Sequence, residues 1–368
     1  MQLVNSKLFL ISIAVVVTFT TLLFFVVKGI IDNSTSDSRT ILVIGSDERI
    51  GKANVANNRA LNDLNLVVHF PKHQPGVDII NVPRDLVINF EICEDIEGFN
   101  PNEFANYSQL RLGIALEMGG VECVKRAISE VVDVKFDDWV VINFRAVTKI
   151  TDYIGGVKIC MPSKLIHYQS GRVIATKGLN TLTGQSALDF VRERKTIGDG
   201  SNLVRSFNQQ VFIRNLLIKI REKGFQSDPV KMFNFIRFIF GDLKLSNSLK
   251  EIGELIEISN LVLNLNSKQI HFYSLPVKYG NRGSALTLDT TKNMRFLKNL
   301  FTQNPVRSRI LKANGAALEK DASGYFCGVG STRGKFVPTD IDTDEQRRIL
   351  DELMKSLKLS DKDIIEVD

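Results

Sequence analysis

Residues 40–47, TILVIGSD, decide how this 368-residue chain folds. A run of apolar and β-branched residues this short is typical of a buried strand, and Gly45-Ser46-Asp47 ends it. Two more such strands are predicted at Leu64–Phe70 and Val77–Val82, and the second is followed by Pro83-Arg84-Asp85. Three strands within 45 residues indicate a sheet that begins near residue 40.

Helical patterns follow and alternate with further strands. Helices are predicted at 121–132, 183–194, 204–223, from Pro229 after a capping Asp228 to near Gly241, and from Ser248; strands are predicted at 139–143, within 154–161 and at 270–275. A chain in which strands and helices alternate covers its sheet with helices. The predicted fold is therefore a three-layer α/β/α sandwich with a central mixed sheet.

The composition excludes several classes of protein. Apolar residues make up 44% of the chain, which is too many for a disordered protein, and charged residues make up 24%, which is too many for a multispanning membrane protein. The formal net charge of +6 comes from 47 Lys and Arg against 41 Asp and Glu. So small an excess over this length does not indicate a nucleic-acid partner.

The first segment predicts a membrane anchor. Residues 8–27 contain no charged residue, and as a helix they would span about 30 Å, the thickness of a bilayer core. The mildly positive stub at residues 1–7 is expected to stay in the cytoplasm, which places the rest of the chain outside the cell. The prediction is a single-pass protein of the cell membrane, with a linker at 28–39 before the outer domain.

The outer part is expected to consist of a catalytic domain at 40–304 and a tail at 305–368. Within the tail, Thr343 and Gln346 form a capping box before an apolar stripe, which predicts a short amphipathic helix at 343–358. That helix would dock on its own domain or on a partner.

The four cysteines are Cys93, Cys123, Cys160 and Cys327, and their spacing matches no metal site. An even number of cysteines in an outward-facing domain permits disulfides, and four cysteines allow three pairings. Cys123 could pair with Cys160 or with Cys93, and unpaired buried thiols are the alternative.

Polar residues stand at the predicted strand ends and on one helix face. Asp47, Arg84 and Asp85 follow strands, and in open α/β sheets such ends converge on the ligand crevice. The apolar face of helix 204–223 continues backward to Gln209 and Arg205. Polar groups on a face directed at the core need partners, because an unpaired buried polar group costs roughly 1–3 kcal/mol. Arginines that merely complement a helix C-terminus are the simpler alternative.

These residues fit phosphoryl transfer. Arg84, Arg192, Arg194 and Arg205 offer planar donor forks for phosphate oxygens, and Asp47 and Asp63 offer hard oxygen ligands for Mg²⁺. The combination would neutralise phosphate oxygens and stabilise a leaving group. The sequence contains no Walker A motif, GxSxG elbow or zinc motif, which argues against a nucleotide triphosphatase, a serine hydrolase and a zinc enzyme.

Several motifs, in this order and spacing, resemble the LytR-CpsA-Psr family of cell-wall glycopolymer ligases, with its actinobacterial branch the nearest in form. They are ILVIGSD (41–47), Asp63 before a strand, VPRD (82–85), RLGIALEMGG (111–120), YIGGVKIC (153–160) and LTGQSALDFVRERKTIGDGSNLVRSFNQQVF (182–212). The resemblance covers roughly residues 40–275.

The resemblance implies a Mg²⁺-dependent transfer of a glycopolymer from a polyprenyl-pyrophosphate carrier to peptidoglycan. It implies Asp47 and Asp63 as metal ligands and Arg84 with Asp85 as catalytic residues. The implied pyrophosphate-binding residues are Arg84, Arg111, Arg192, Arg194, Arg205 and Gln209. A Phe- and Leu-lined cavity would hold the lipid; Phe233, Phe235, Phe238 and Phe240 are either one wall of it or ordinary core.

Three positions depart from the family pattern: Asn202 stands where Asp is usual, Gly113 replaces Asn, and Leu61 replaces a frequent Arg. Two alternatives follow for the same site. One is a hydrolase that transfers the group to water, and the other is a scaffold that binds polyprenyl phosphate without turnover.

Overall fold

The computed structural model describes residues 38–48, 60–71, 76–97, 99, 110–197, 202–265, 269–275, 277–279, 285–288, 325 and 327–328. The strands are β1 Arg39–Ser46, β2 Asn62–Phe70, β3 Val77–Asn81, β4 Val87–Ile88, β5 Leu110–Arg111, β6 Asp138–Asn143, β7 Val157–Met161, β8 Leu165–Ile166, β9 Val173–Ala175, β10 Gly178–Leu182, β11 Leu243–Leu245, β12 Ile270–Ser274, β13 Val277–Tyr279 and β14 Leu286–Leu288. The helices are α1 Ala115–Val132, α2 Phe144–Tyr153, α3 Gly184–Arg192, α4 Asn202–Glu222, α5 Pro229–Phe240 and α6 Ile252–Asn264.

Six strands form the central sheet in the order β11-β6-β1-β2-β3-β12. Strand β1 runs parallel to β6 and antiparallel to β2, and β3 runs antiparallel to β2 and parallel to β12. The sheet is therefore mixed, and β1, β3, β6 and β12 all point the same way. The predicted α/β fold with a central mixed sheet is confirmed.

Helices cover both faces of this sheet because successive strand residues point to opposite sides. Leu42 and Ile44 of β1 belong to a core that also contains the buried residues of α1. Val43 of the same strand packs with Ile213 and Leu217 of α4 on the other side. The α4 face is the one that carries the polar residues noted in the sequence.

Helix α1 consists of a first turn from Ala115 and a longer helix that begins at Val121, where the pattern predicts it. Gly119 and Gly120 have non-helical dihedral angles and form the kink between the two parts. The backbone N–H of Leu116 donates to the side-chain oxygen of buried Asn62, at 3.2 Å. This bond fixes the first turn of α1 beside the start of β2.

Other helix starts follow their sequence signals more closely. Helix α5 begins at Pro229, and the side chain of Asp228 caps it by accepting from the backbone N–H of Lys231, as predicted. Helix α6 begins at Ile252, after a short 3₁₀ turn at Ser248–Lys250, and not at Ser248.

The predicted anchor at 8–27, the stub before it and the amphipathic helix at 343–358 lie outside the described residues. Among the residues that the structure does describe, no helix is long and apolar enough to cross a membrane. Of the tail, Tyr325, Cys327 and Gly328 contact the domain: Gly328 N–H donates to Cys160 O at 2.9 Å, and Tyr325 donates to Glu222.

Two disulfides join Cys93 to Cys123 and Cys160 to Cys327. The first pairing is one of the two predicted, while pairing of Cys123 with Cys160 and free thiols at these positions are both wrong. Cys93 and Cys123 lie together in the core between α1 and the sheet, whereas Cys160 lies on β7 beside the returning tail. Strand β7 packs in a different hydrophobic core from α1, and Cys123 and Cys160 are therefore kept apart.

Replacing both Cys93 and Cys123 by Ala should lower the free energy of unfolding by about 2–4 kcal/mol, because the bond restricts the unfolded chain. Urea denaturation measures the change. An unaltered midpoint, or a peptide map of the wild-type protein that links Cys123 to Cys160, would contradict this pairing.

Candidate functional site

The sheet brings three of the predicted site residues to one edge. Strand β1 ends at Ser46 and β3 ends at Asn81, while β2, which lies antiparallel between them, begins at Asn62. Asp47, Asp63 and Arg84 therefore lie at the same edge, as their positions relative to the strands predict.

A β-bulge directs Asp63 away from the regular ladder. Gly45 pairs with Leu64 and Ser46 pairs with Asn62, so Asp63 is the extra residue between them. A Cβ atom at position 45 would lie 2.8 Å from the Cβ of Leu64, closer than real Cβ contacts. Glycine is thus required opposite the bulge, and bulges of this kind commonly re-aim a side chain beside an active site.

Asp63 is held by two arginines from different elements. Its Oδ1 forms an ion pair with Nη1 of Arg84, and Nη1 of Arg205 from α4 lies 3.9 Å from the same oxygen. The Arg205 side chain is only 7% exposed and that of Asp63 15%. A charge this deeply buried needs compensation, and Asp63 supplies part of it.

A second carboxylate orders the arginines on the other side. Buried Asp85 lies 3.9 Å from Nε of Arg84 and 3.5 Å from Nη1 of Arg111. At these distances Asp85 is an ion-pair partner of both arginines and can orient them. The Arg111 side chain is 40% exposed, more than those of Arg84 and Arg205.

Gly113, one of the departures from the family pattern, lies against Arg84. Its N–H donates to the Arg84 carbonyl at 2.7 Å, and a Cβ there would stand 3.0 Å from Arg84 Nε. A side chain at position 113 would therefore press on the guanidinium. In this chain the small residue lets the arginine lie over the backbone.

Arg192 and Arg194, at and just after the end of α3, lie close enough to Arg205 for their charges to act on it. The Arg192 guanidinium lies over the Phe144 ring, 4.1 Å from its centroid. Gln209 of α4 is buried, and its side-chain amide donates to the Val191 carbonyl at 3.1 Å, which ties α4 to this end of α3. Both arginines and Gln209 are thus brought near Arg205.

The sequence pattern did not single out Glu193, which shapes this corner. It is buried, and its carboxylate accepts from the backbone N–H groups of Tyr168, Arg194 and Thr196 at 2.8, 2.9 and 3.3 Å. A carboxylate between two arginines in Arg192-Glu193-Arg194 is the signal that could have identified it.

Arg84, Arg111, Arg192, Arg194 and Arg205 form an arginine cluster, in which the positive charges repel one another. Burial, followed by the positive charges of Arg84 and Arg194, lowers the pKa of Arg205 to about 9. Burial also lowers the pKa of Arg84, although Asp85 partly offsets it. In the described part of the chain, the buried Nε atoms of Arg84 and Arg205 have no hydrogen-bond partner. An anion with several oxygens would satisfy these donors and relieve the repulsion.

Asp47 and Asp63 could hold Mg²⁺ only together with a bound substrate that supplies further oxygen ligands. Asp47 Oδ1 accepts from the Leu61 N–H at 2.7 Å, and Asp63 Oδ1 is taken up by arginines. The described residues include no cluster of three or more His, Cys, Asp or Glu side chains able to hold a metal. Magnesium is usually bound by one or two carboxylates together with substrate phosphates, and this donor set suits that arrangement.

An apolar cavity of about 360 Å³ opens beside the cluster. Its polar lining residues are Ser46, Asp63, Arg192, Arg205 and Gln209, and the remaining lining is almost entirely apolar, from β1, β2, β6, α2, α4 and α6. The aromatic residues in its wall are Phe70, Phe144 and Phe212.

The Phe cluster of α5 does not form that wall. Phe235 is buried in the core beneath α5, whereas Phe233 and Phe238 are exposed. None of the four rings lines the cavity, so of the two alternatives the cavity wall is wrong, whereas Phe235 is the core residue that the other alternative expects.

The LytR_cpsA_psr family model matches residues 26–302 of the chain. The protein belongs to the LytR-CpsA-Psr family. The match spans both the strand-end carboxylates and the arginine-bearing helices.

Two relatives with curated names are similar to this family member. The polyisoprenyl-teichoic acid–peptidoglycan teichoic acid transferase TagT of Bacillus subtilis strain 168 is 27% identical over 243 residues, covering 64% of this chain and 69% of TagT. The cell wall biosynthesis protein LcpA of Corynebacterium glutamicum is 24% identical over 307 residues, covering 74% of this chain and 57% of LcpA.

The fold of this LytR-CpsA-Psr protein is shared with solved structures. TagT bound to LI-WTA superposes with a TM-score of 0.53 at 22% identity, covering 72% of this chain and 91% of that one. The LytR-Csp2A-Psr enzyme from Actinomyces oris gives a TM-score of 0.54 at 21% identity, covering 73% and 92%.

Replacing Arg205 by Met should raise the free energy of unfolding of the ligand-free protein by about 1 kcal/mol. At neutral pH the folded state carries the cost of burying this charge, and Met removes it. The same variant should lose most of the rise in melting temperature that inorganic pyrophosphate gives the wild type. Calorimetry measures both quantities.

Arg214→Met is the matched control, because Arg214 lies on the same helix and burial alone lowers its pKa to about 10. It should keep the pyrophosphate effect. If Arg214→Met loses that effect as fully as Arg205→Met, the anion does not bind at the cluster.

Proposed function

We propose that this protein transfers a glycopolymer from a polyprenyl-pyrophosphate carrier to peptidoglycan. The name of its relative TagT describes transfer of teichoic acid from a polyisoprenyl carrier to peptidoglycan. The observation that carries the proposal is the junction of two environments. Arg192, Arg205 and Gln209 line a cavity whose remaining lining is almost entirely apolar. A lipid with a pyrophosphate head is an amphiphile of this shape.

The chain's own residues supply binding and charge stabilisation. Arg84, Arg192, Arg194 and Arg205 neutralise the pyrophosphate oxygens, and Asp85 orients Arg84 and Arg111. The oxygen of the acceptor hydroxyl attacks the phosphorus next to the sugar and its proton passes to solvent, while a new oxygen–phosphorus bond forms and the bond from that phosphorus to the bridging oxygen breaks. Polyprenyl phosphate then leaves with a negative charge that the buried arginines stabilise.

Asp47 and Asp63 would hold Mg²⁺ against the pyrophosphate. When bound, the ion would neutralise charge that builds on the bridging oxygen. Asp63 has a second task, since it already compensates Arg84 and Arg205. Chelation should therefore reduce transfer without unfolding the domain.

We propose that residues 8–27 anchor the protein in the cell membrane with the domain outside. The uncharged run of bilayer length supports the anchor. The two disulfides support an oxidising compartment, since disulfides are rare in the cytosol.

Arg84→Ala and Asp63→Asn should each lower transfer from a lipid-linked donor to peptidoglycan by about 10²–10³-fold. Arg84→Ala removes a donor fork, and Asp63→Asn removes a carboxylate that faces both the arginines and the metal. Release of labelled polymer into the peptidoglycan fraction is the measurement.

Arg126→Ala serves as the control, because Arg126 pairs with Asp95 on the outer side of α1. It should transfer at the wild-type rate. Undiminished transfer by both site variants would refute the assignment. Polymer released as free phosphate ester, at a rate unaffected by peptidoglycan, would show that water is the acceptor instead.

A further inference from the structure

The outer face of α5 presents exposed apolar residues in one place. Among the described residues, seven large apolar side chains are exposed, and four of them belong to α5 or touch it: Tyr153, Val230, Phe233 and Phe238. Val230 and Phe233 are one helical turn apart and 69% and 39% exposed. The rings of Tyr153 and Phe238 lie 4.9 Å apart. We name these four residues the α5 patch.

The stretch of sequence that contains α5 and the end of α4 is basic. The segment 219–240 contains five basic residues, Lys219, Arg221, Lys223, Lys231 and Arg237, and two acidic ones, Glu222 and Asp228. Both carboxylates are engaged, Glu222 by the Tyr325 hydroxyl and Asp228 by the backbone of α5. At the other end, Lys149 lies over the Phe238 ring at 5.1 Å and pairs with Asp242. Arg221 donates to carbonyls at the end of α6, so the remaining four basic residues of the segment, against two acidic ones, are the charge available beside the exposed aromatic residues.

The α5 patch lies outside the wall of the lipid cavity. Helix α5 packs against α2 and α6. Those helices supply Val147 and Ile150, and Leu255, Ile258 and Val262, to the cavity. A partner on the outer face of α5 would thus be one helix layer away from the bound lipid chain.

The described chain begins next to α6. Arg39 at the start of β1 pairs with Glu254 of α6, with Nη1 and Oε2 3.1 Å apart. The proposed anchor ends at residue 27, about 12 residues earlier, and an extended chain spans at most about 3.6 Å per residue. Arg39, and with it the part of α6 that it contacts, can therefore lie no more than about 40 Å from the end of the proposed anchor, and α5 packs against α6.

We propose that the α5 patch docks on the anionic surface of the membrane, with its aromatic rings at the headgroup level and its basic residues on acidic lipids. This inference rests on the proposed membrane-anchored function. Aromatic and aliphatic side chains next to Lys and Arg are the composition of helices that lie in the bilayer interface. An anionic wall polymer would use the basic residues but would leave the exposed apolar side chains in water.

Tryptophan fluorescence in the full-length protein tests the contact. Phe233→Trp is compared with Tyr168→Trp, both in a Trp139→Phe background, after reconstitution into phosphatidylglycerol vesicles with brominated acyl chains. Tyr168 is a matched control because it is 57% exposed and has Lys195 4.4 Å from its ring, yet lies outside the α5 patch. Emission at position 233 should be quenched at least twofold more than emission at position 168.

Equal quenching at both positions overturns the proposal, and so does quenching at 233 that is as strong in phosphatidylcholine vesicles. Burial of the introduced tryptophan without quenching by bromine would assign the patch to a second copy of the chain instead. None of these readings requires turnover, so they remain valid if the transfer function fails.

A kinetic test uses Arg237→Glu with Val230→Ser, neither of which lies in the arginine cluster. Transfer from a long-chain donor in vesicles should fall at least fivefold, while transfer from a short-chain donor in detergent should be unchanged. Equal rates with the long-chain donor would overturn the proposal, and loss with both donors would show that the variant has damaged the site.

Discussion

The ion pair between Arg84 and Asp63 is the interaction on which the site depends. It joins the segment after β3 to the start of β2, and it is possible because the bulge opposite Gly45 turns Asp63 out of the ladder. Arg205 lies against the same carboxylate, and Asp85 holds Arg84 and Arg111. Without an anion, two carboxylates compensate several positive charges only in part, and the lowered pKa of Arg205 shows the remaining cost. Such strain is common where a protein is built to bind an opposite charge.

The second constraint is that the cavity is lined by charged and polar side chains in one part and by apolar side chains in the rest. The sheet face that ends in the arginine cluster is apolar along β1 and β2, and α2, α4 and α6 enclose it. A soluble phosphate ester would leave this cavity unused, and a fatty acid would leave the buried arginines without a second charge. The pairing of environments therefore supports the proposed lipid pyrophosphate substrate; the name of the relative TagT also includes a polyisoprenyl lipid.

Much of this site was predictable because it depends on strand ends and helix faces. The TILVI, LNLVV and VDIIN segments locate the carboxyl edge, and the apolar face of α4 leads directly to Gln209 and Arg205. The bulge was not predictable, since it depends on the register of β1 against β2. The cavity walls, the pairing of Cys160 with Cys327 and the orienting role of Glu193 depend on contacts between residues far apart in the chain or on backbone geometry. The sequence left two alternatives for the Phe residues of α5, cavity wall or core, because an amphipathic pattern shows which residues share a face but not what that face contacts; Phe235 lies in the core, and none of the four lines the cavity.

The central claim is that the arginine cluster and the cavity together bind one lipid pyrophosphate or phosphate. Native mass spectrometry of the full-length protein, purified gently from its membrane, tests it most directly. The account predicts a bound polyprenyl phosphate or pyrophosphate that is retained by Arg214→Met and lost from an Arg84→Ala, Arg205→Met double variant. A bound lipid without phosphate, or equal occupancy in the double variant, would contradict it.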